Sequence, residues 1–213
     1  MDIINPEFQR YAEAYTSPES DILKQINRDT HARVLKPQML SGHLQGRLLA
    51  MFSKMLQPKR ILEIGTYTGY SAICLAEGLA EQGELITIDN NEELEGIAKA
   101  NFKLAGFSDK ITYVLGDARE IVPTLDQMFD LIFIDADKQS YSTYFDLVVD
   151  KIPVGGVILA DNVFRQGKVL ERLKDKDANA IHAFNQKVCS DGRVEQILLP
   201  IRDGILMIRK LSL

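Results

Sequence analysis

From Arg60 onward the chain alternates short apolar runs with helix-length segments: run 60–64, helix 70–82, run 84–89, helix 92–106, run 111–116, helix 117–126, run 129–134, helix 137–150 and run 155–160. This βαβαβαβαβ rhythm restricts the fold more than any other feature. Strands that return through helices must lie parallel, with right-handed crossovers and helices on both faces of the sheet. The runs are nearly continuous in Ile, Leu, Phe and Val, as strands covered on both sides should be. The rhythm then breaks. After a helix with Ile181, Phe184 and Val188 on one face, runs 193–200 and 204–210 are joined only by the short link around Pro200 to Asp203, which predicts an antiparallel hairpin.

The first 58 residues hold no strand-like run and one clear helical stripe, Leu44, Leu48, Met51, Phe52 and Met55. They are predicted to be a helical extension of the same domain. With no internal repeat and no linker rich in Pro, Gly or Ser, residues 1–213 are expected to form a single α/β domain. A composition of 46% hydrophobic and 26% charged residues matches an ordinary soluble domain. Cys74 and Cys189 lie far apart and outside any C-x-x-C spacing, which argues against a disulfide framework or a zinc site. A net charge of −5 and a pI near 5.3 advertise no broad cationic surface for nucleic acid. The start, Met1-Asp2-Ile3-Ile4-Asn5-Pro6, lacks a basic segment followed by an apolar one, and no run approaches the ~18 apolar residues of a membrane span. A cytoplasmic protein is expected.

The first chemical motif is Leu62-Glu63-Ile64-Gly65-Thr66-Tyr67-Thr68-Gly69-Tyr70-Ser71, a strand entering a glycine turn and then a helix. Open α/β sheets bind ligands at such carboxyl ends. Tyr67 stands where a dinucleotide fingerprint needs its second glycine, and no lysine follows Gly69 as a P-loop requires, so a phosphate cradle is disfavoured. The carboxylate of Glu63 suits a ligand bearing a cation, and Asp89, ending the next strand, suits a ribose diol. Together they describe an amino-acid-plus-nucleoside ligand. The competing interpretation, that the glycines merely permit a tight turn and the acids are solvated strand ends, weighs about equally for the glycines alone.

A second constellation is more specific. Asp135-Ala136-Asp137-Lys138 and Asp161-Asn162 each follow an apolar strand directly. If those strands are neighbours, Asp135, Asp161 and Asn162 converge as three oxygen donors, a set without His or Cys that selects a hard cation such as Mg²⁺ or Ca²⁺. Helix capping explains any one of them but less well all three.

These residues resemble the cation-dependent class I S-adenosylmethionine O-methyltransferases, the family of catechol and caffeoyl-CoA O-methyltransferases and their bacterial relatives. The resemblance covers about residues 36–213 and includes Gly116-Asp117-Ala118, Gly155-Gly156-Val157 and the closing Leu199-Pro200-Ile201-Arg202-Asp203-Gly204. It implies a doubly wound, Rossmann-like seven-stranded sheet in the order 3-2-1-4-5-7-6, with strand 7 antiparallel. It also implies Asp135, Asp161 and Asn162 as ligands of Mg²⁺, or of Ca²⁺ or Mn²⁺, and Lys138 as general base with Asp135 beside it. Glu63, Gly65, Thr66 and Ser71 would hold the methionine part of S-adenosylmethionine, Asp89 the ribose and Ala118 the adenine. Ser41, Asp135 and Asp137 would complete that pocket. A hydroxylated aromatic small molecule is the implied acceptor, and a homodimer the implied assembly.

Two departures bear on the acceptor: Phe164-Arg165 stands where many relatives carry tryptophan, and Ser140 where Asn is common. Arg165 opens a segment, 165–177, with the cations Arg165, Lys168, Arg172, Lys174 and Lys176 against Glu171, Asp175 and Asp177. The plain interpretation is a solvated face; the sharper one is a receiver for an anionic acceptor. Some bacterial relatives methylate a hydroxylated wobble uridine in tRNA, which makes tRNA the alternative acceptor. A non-catalytic nucleotide-binding protein would keep the glycine turn but has no need of Asp135, Lys138, Asp161 and Asn162 together. His31, His43 and His182 are scattered and expected to be structural, and Tyr141 and Tyr144 are expected chiefly to pack.

Overall fold

The computed structural model describes residues 5–170 and 175–212; the opening Met1–Ile4 and the residues Glu171, Arg172 and Lys174 of the charged segment lie outside them. The strands are β1 (Arg60–Ile64), β2 (Glu84–Asp89), β3 (Ile111–Leu115), β4 (Leu131–Ile134), β5 (Val157–Asp161), β6 (Val194–Leu199) and β7 (Ile205–Lys210). They form one seven-stranded sheet in the order β3-β2-β1-β4-β5-β7-β6. The first five pair in parallel, and β7 runs antiparallel to both neighbours. Both the rhythm and its interruption are therefore as the sequence predicts.

Because side chains alternate along a strand, the sheet supports two cores. On one face Ile61, Leu85, Leu131, Phe133 and Leu159 meet α2 (Asp21–Arg33), α3 (Gly42–Leu56), α4 (Tyr70–Ala76) and α5 (Glu92–Leu104). On the other, Leu62, Ile64, Ile132, Ile158 and Ile208 meet α6 (Ala118–Ile121), α7 (Tyr141–Val148) and α8 (Lys176–Ser190). A further helix, α1 (Pro6–Ala14), buries no residue.

Helix limits differ from the periodicity for local reasons. Pro123 cannot donate a backbone hydrogen bond, and the predicted helix 117–126 shortens to Ala118–Ile121 followed by a 3-10 turn. The predicted helix 70–82 ends at Ala76, and at Gly78 the chain presses so closely on α3 that a Cβ there would lie 2.2 Å from the Ser53 carbonyl carbon. Gly46 has the same function one turn into α3: its Cβ would meet Tyr70 at 2.6 Å and the Cys74 sulfur at 2.9 Å. Small residues thus decide which face of α3 is buried. Gln45, Gly46, Leu49, Ala50 and Ser53 turn inward, and of the apolar stripe that identifies the helix, Met51 and Met55 remain 55% and 66% exposed.

Candidate active site

Sheet register assembles the site. Ile64 of β1 pairs with Ile88 of β2 and with Ile134 of β4, and Ile134 pairs with Ala160 of β5. The next residue on each strand, Asp89, Gly65, Asp135 and Asp161, falls in one row across the carboxyl edge of four neighbouring strands. Strand spacing of ~4.8 Å then sets the carboxylate-bearing backbones of Asp135 and Asp161 side by side. Asn162 follows with φ +58°, the left-handed conformation that asparagine tolerates better than most residues.

The glycine turn opens a cleft lined by Met39, Leu40, Ser41, Gly65, Thr66, Tyr67, Tyr70, Ser71 and Asp135. Gly65 has φ +100°, and a Cβ there would lie 1.9 Å from the carbonyl oxygen of Asp135, so it is required for β1 and β4 to approach. Asp89 clamps the turn: its Oδ2 accepts from the N–H groups of Thr66 at 2.9 Å and Tyr67 at 2.8 Å, and its Oδ1 from Asn91 N–H at 2.9 Å. Three of roughly four acceptor positions of this carboxylate are thereby used.

Glu63 is fully buried, with Oε2 accepting from the Thr87 hydroxyl at 2.5 Å and Thr87 in turn 2.5 Å from the Thr66 hydroxyl. Its Oε1 is buried without a hydrogen-bond partner. Burial pushes its pKa up to about 8, against the pull of the Ser71 and Thr87 hydroxyls. Glu63, Asp89, Ala118 and Asp137 lie outside the lining of the cleft. Ala118 opens α6 and is buried, while Asp137 accepts from the Tyr144 hydroxyl and from Ser140 N–H at 3.1 Å.

Beside the cleft, Lys138 Nζ donates to Asp135 Oδ1 at 2.9 Å and to the Tyr141 hydroxyl oxygen at 2.7 Å. The same hydroxyl lies 2.8 Å from the Asp161 carbonyl and 3.2 Å from that of Ile134. Tyr141 does pack, edge-on against Phe184, but its hydroxyl also ties the lysine to the ends of β4 and β5. Burial pulls the Lys138 pKa down, yet Asp135, Tyr141 and Asp161 outweigh it and the net shift is upward. Asp161, 2% exposed, is raised to about 7 by burial and then by Asp135. Among the described residues no three His, Cys, Asp or Glu side chains cluster as a metal site. The oxygen set foreseen from sequence has an amide, Asn162, as its third donor.

Two contributors were given no role by the sequence. Gln45, buried in α3, donates from Nε2 to Asp161 Oδ2 at 2.6 Å, and Arg202 donates to Gln45 Oε1 at 2.7 Å. A polar residue on the helix that carries the apolar stripe was the available signal for Gln45; Arg202 stands in the closing motif, which gave it no role of its own. In the charged segment, Arg165 pairs with Asp177 at 2.9 Å and Lys168 with Asp175 at 2.8 Å, which holds Asp175 down at about 2. These two cations are committed within the chain.

A doubly wound sheet with a glycine-turn cleft and an acid–lysine cluster at its carboxyl edge defines a ligand-binding α/β enzyme. The chain belongs to the O-methyltransferase family, whose pattern it matches over residues 12–211. It is 31% identical over 215 aligned positions to a probable caffeoyl-CoA O-methyltransferase of Dictyostelium discoideum, covering 98% of this chain and 93% of that protein. It is 37% identical over 145 positions to the catechol O-methyltransferase of Mycobacterium tuberculosis, covering 68% of this chain and 66% of that one. A Podospora anserina methyltransferase solved with SAH bound superimposes with a TM-score of 0.90 at 30% identity, over 98% and 97% of the two chains. The protein is an S-adenosylmethionine-dependent O-methyltransferase.

Proposed function

We propose that this enzyme methylates one of two vicinal hydroxyls on a small aromatic acceptor, catechol-like or of the caffeoyl type, with a divalent cation, Mg²⁺ first, held by Asp135, Asp161 and Asn162. The juxtaposition of Lys138, Asp135 and Asp161 at one sheet edge carries this reading. The residues fit both groups. The unpartnered Oε1 of Glu63 suits a donor that bears positive charge, and a buried carboxylate raised by its acidic neighbour suits a divalent cation. When bound, S-adenosylmethionine supplies an electrophilic methyl on sulfur and the cation favours the ionised form of a coordinated hydroxyl.

The chain's own residues do the rest. Glu63, Gly65, Thr66, Ser71 and Ser41 hold the methionine end, Asp89 the ribose, Ala118 the adenine, and Asp135 and Asp137 border that pocket. Lys138 Nζ takes the acceptor's proton once the charge of Asp135 and Asp161 is offset, because those acids are what hold it protonated. Tyr141 keeps Nζ aimed at that place. We further assign a homodimer, with exposed Met51 and Met55 of α3 and Phe8 and Tyr11 of α1 as the covered surface.

Labelled S-adenosylmethionine offered in parallel with a catechol, a caffeoyl-type thioester and bulk tRNA tests the reading. Label should enter a vicinal-diol acceptor, stop with EDTA and return with Mg²⁺. Label confined to tRNA overturns the acceptor, and label indifferent to EDTA overturns the cation.

A further inference from the structure

Asp161 reaches the candidate cation site from the end of β5, and its carboxylate is gripped from an element remote in sequence. Gln45 is 0% exposed and donates to Asp161 Oδ2 at 2.6 Å, while Asn162 N–H donates to Oδ1 at 2.8 Å. Both oxygens are therefore fixed, and each retains a lone pair for a cation. A buried amide can hold a carboxylate this way only if its nitrogen faces the acid. Arg202 enforces that orientation: guanidinium groups only donate, so NH1, 2.7 Å from Oε1, determines which end of the amide is oxygen. Arg202 also donates from NH1 to the Ser41 carbonyl and from NH2, at 3.3 Å, to the Leu40 carbonyl. Leu40 and Ser41 line the donor cleft. One guanidinium thus binds the loop of the methyl-donor cleft and the amide that orients Asp161.

We propose that Gln45 is a positioning residue for Asp161, that Arg202 acts on the cation site through Gln45, and that Arg202 at the same time fixes the loop at Leu40 and Ser41. The proposal rests on Asp161 being a cation ligand, as set out above. Partners that orient a ligand from behind characteristically contribute 10–100-fold to metal affinity. Neither residue touches the reacting atoms.

Calorimetric titration of the purified protein with MnCl₂, and separately with S-adenosylhomocysteine, reads the effect without turnover. Gln45→Met, nearly isosteric and unable to donate, should weaken Mn²⁺ binding about 10–100-fold and leave S-adenosylhomocysteine affinity within about twofold. Arg202→Met should weaken both ligands. The double variant should bind Mn²⁺ no more weakly than Gln45→Met alone, because the hydrogen bonds of Arg202 reach the site only through Gln45, and its direct effect on Asp161 is that of a positive charge, which disfavours a cation. Unchanged Mn²⁺ affinity in Gln45→Met, or additive losses in the double variant, overturns the proposal while leaving the cation reading intact. Failure of the unaltered protein to bind Mn²⁺ overturns both. Should thermal melting show Gln45→Met unfolded, Gln45→Asn, which keeps the amide but falls a methylene short of Asp161, is expected to show the same selective loss, and Mn²⁺ affinity equal to the unaltered protein's would overturn the proposal.

Discussion

Glu63 shows how one buried side chain links stability to ligand chemistry. Its pKa of about 8 in the folded chain exceeds its ordinary 4.5. Between those values the folded protein keeps a proton that the unfolded chain has released, so stability is fullest below the lower value and declines as pH rises towards the upper one. The slope from one such proton is at most ~1.4 kcal/mol per pH unit. Glu63→Gln should flatten the fall in melting temperature between pH 5 and 8, leaving the part that belongs to Asp161, and a variant as steep as the parent would refute this. Lys138→Met is expected to lower kcat by roughly 10²–10⁴-fold with S-adenosylhomocysteine affinity preserved, as measured by initial rates and calorimetry. Asp135, Asp161 and Lys138 could be singled out as candidates in the sequence because each stands at or just past the end of an apolar strand within a short motif. Tyr141 was legible only as an aromatic: the reach of its hydroxyl to Lys138 depends on how α7 is placed, which helical periodicity does not encode.

At the scale of elements, apolar runs predicted the strands well, because a strand buried on both faces has little freedom in composition. Helices were bounded less well, because Pro123 and the close approach at Gly78 act through geometry that periodicity does not encode. Helix α3 is the sharpest example. Its apolar stripe marks a helix, while its buried face is selected by what fits against Tyr70 and Cys74. Gly46→Leu should force α3 away from α4, destabilising the protein by about 1–3 kcal/mol or more, as overpacking does, and denaturant unfolding measures that loss. Gly65→Ala should cost at least as much, since the obstacle is the backbone of β4 and the φ is unfavourable for any side chain.

For the whole molecule, the strand order was implied by resemblance to a family, and the turn at Pro200 to Asp203 independently indicated the antiparallel pair. The exposed methionines of α3 and aromatics of α1 give the proposed homodimer a test of its own. Met51→Glu combined with Met55→Glu should convert a dimer to a monomer in sedimentation velocity, and an unchanged dimer would place the interface elsewhere. Among the described residues no helix is long and apolar enough to cross a membrane.

The reversal of β7 has a consequence for how the enzyme comes into being. Because β7 runs against β5, the turn bearing Arg202 returns to the carboxyl edge, where it meets Gln45 and the loop before α3. Synthesis proceeds from the amino terminus, and the strands that carry Glu63, Asp89, Asp135 and Asp161 leave the ribosome well before Arg202, which orients the Gln45 that holds Asp161. A nascent chain stopped ahead of Arg202 has its four acids made and its clasp missing. Such a polypeptide has the ingredients of the site and β6, but neither β7 nor the guanidinium that orients Gln45 towards Asp161.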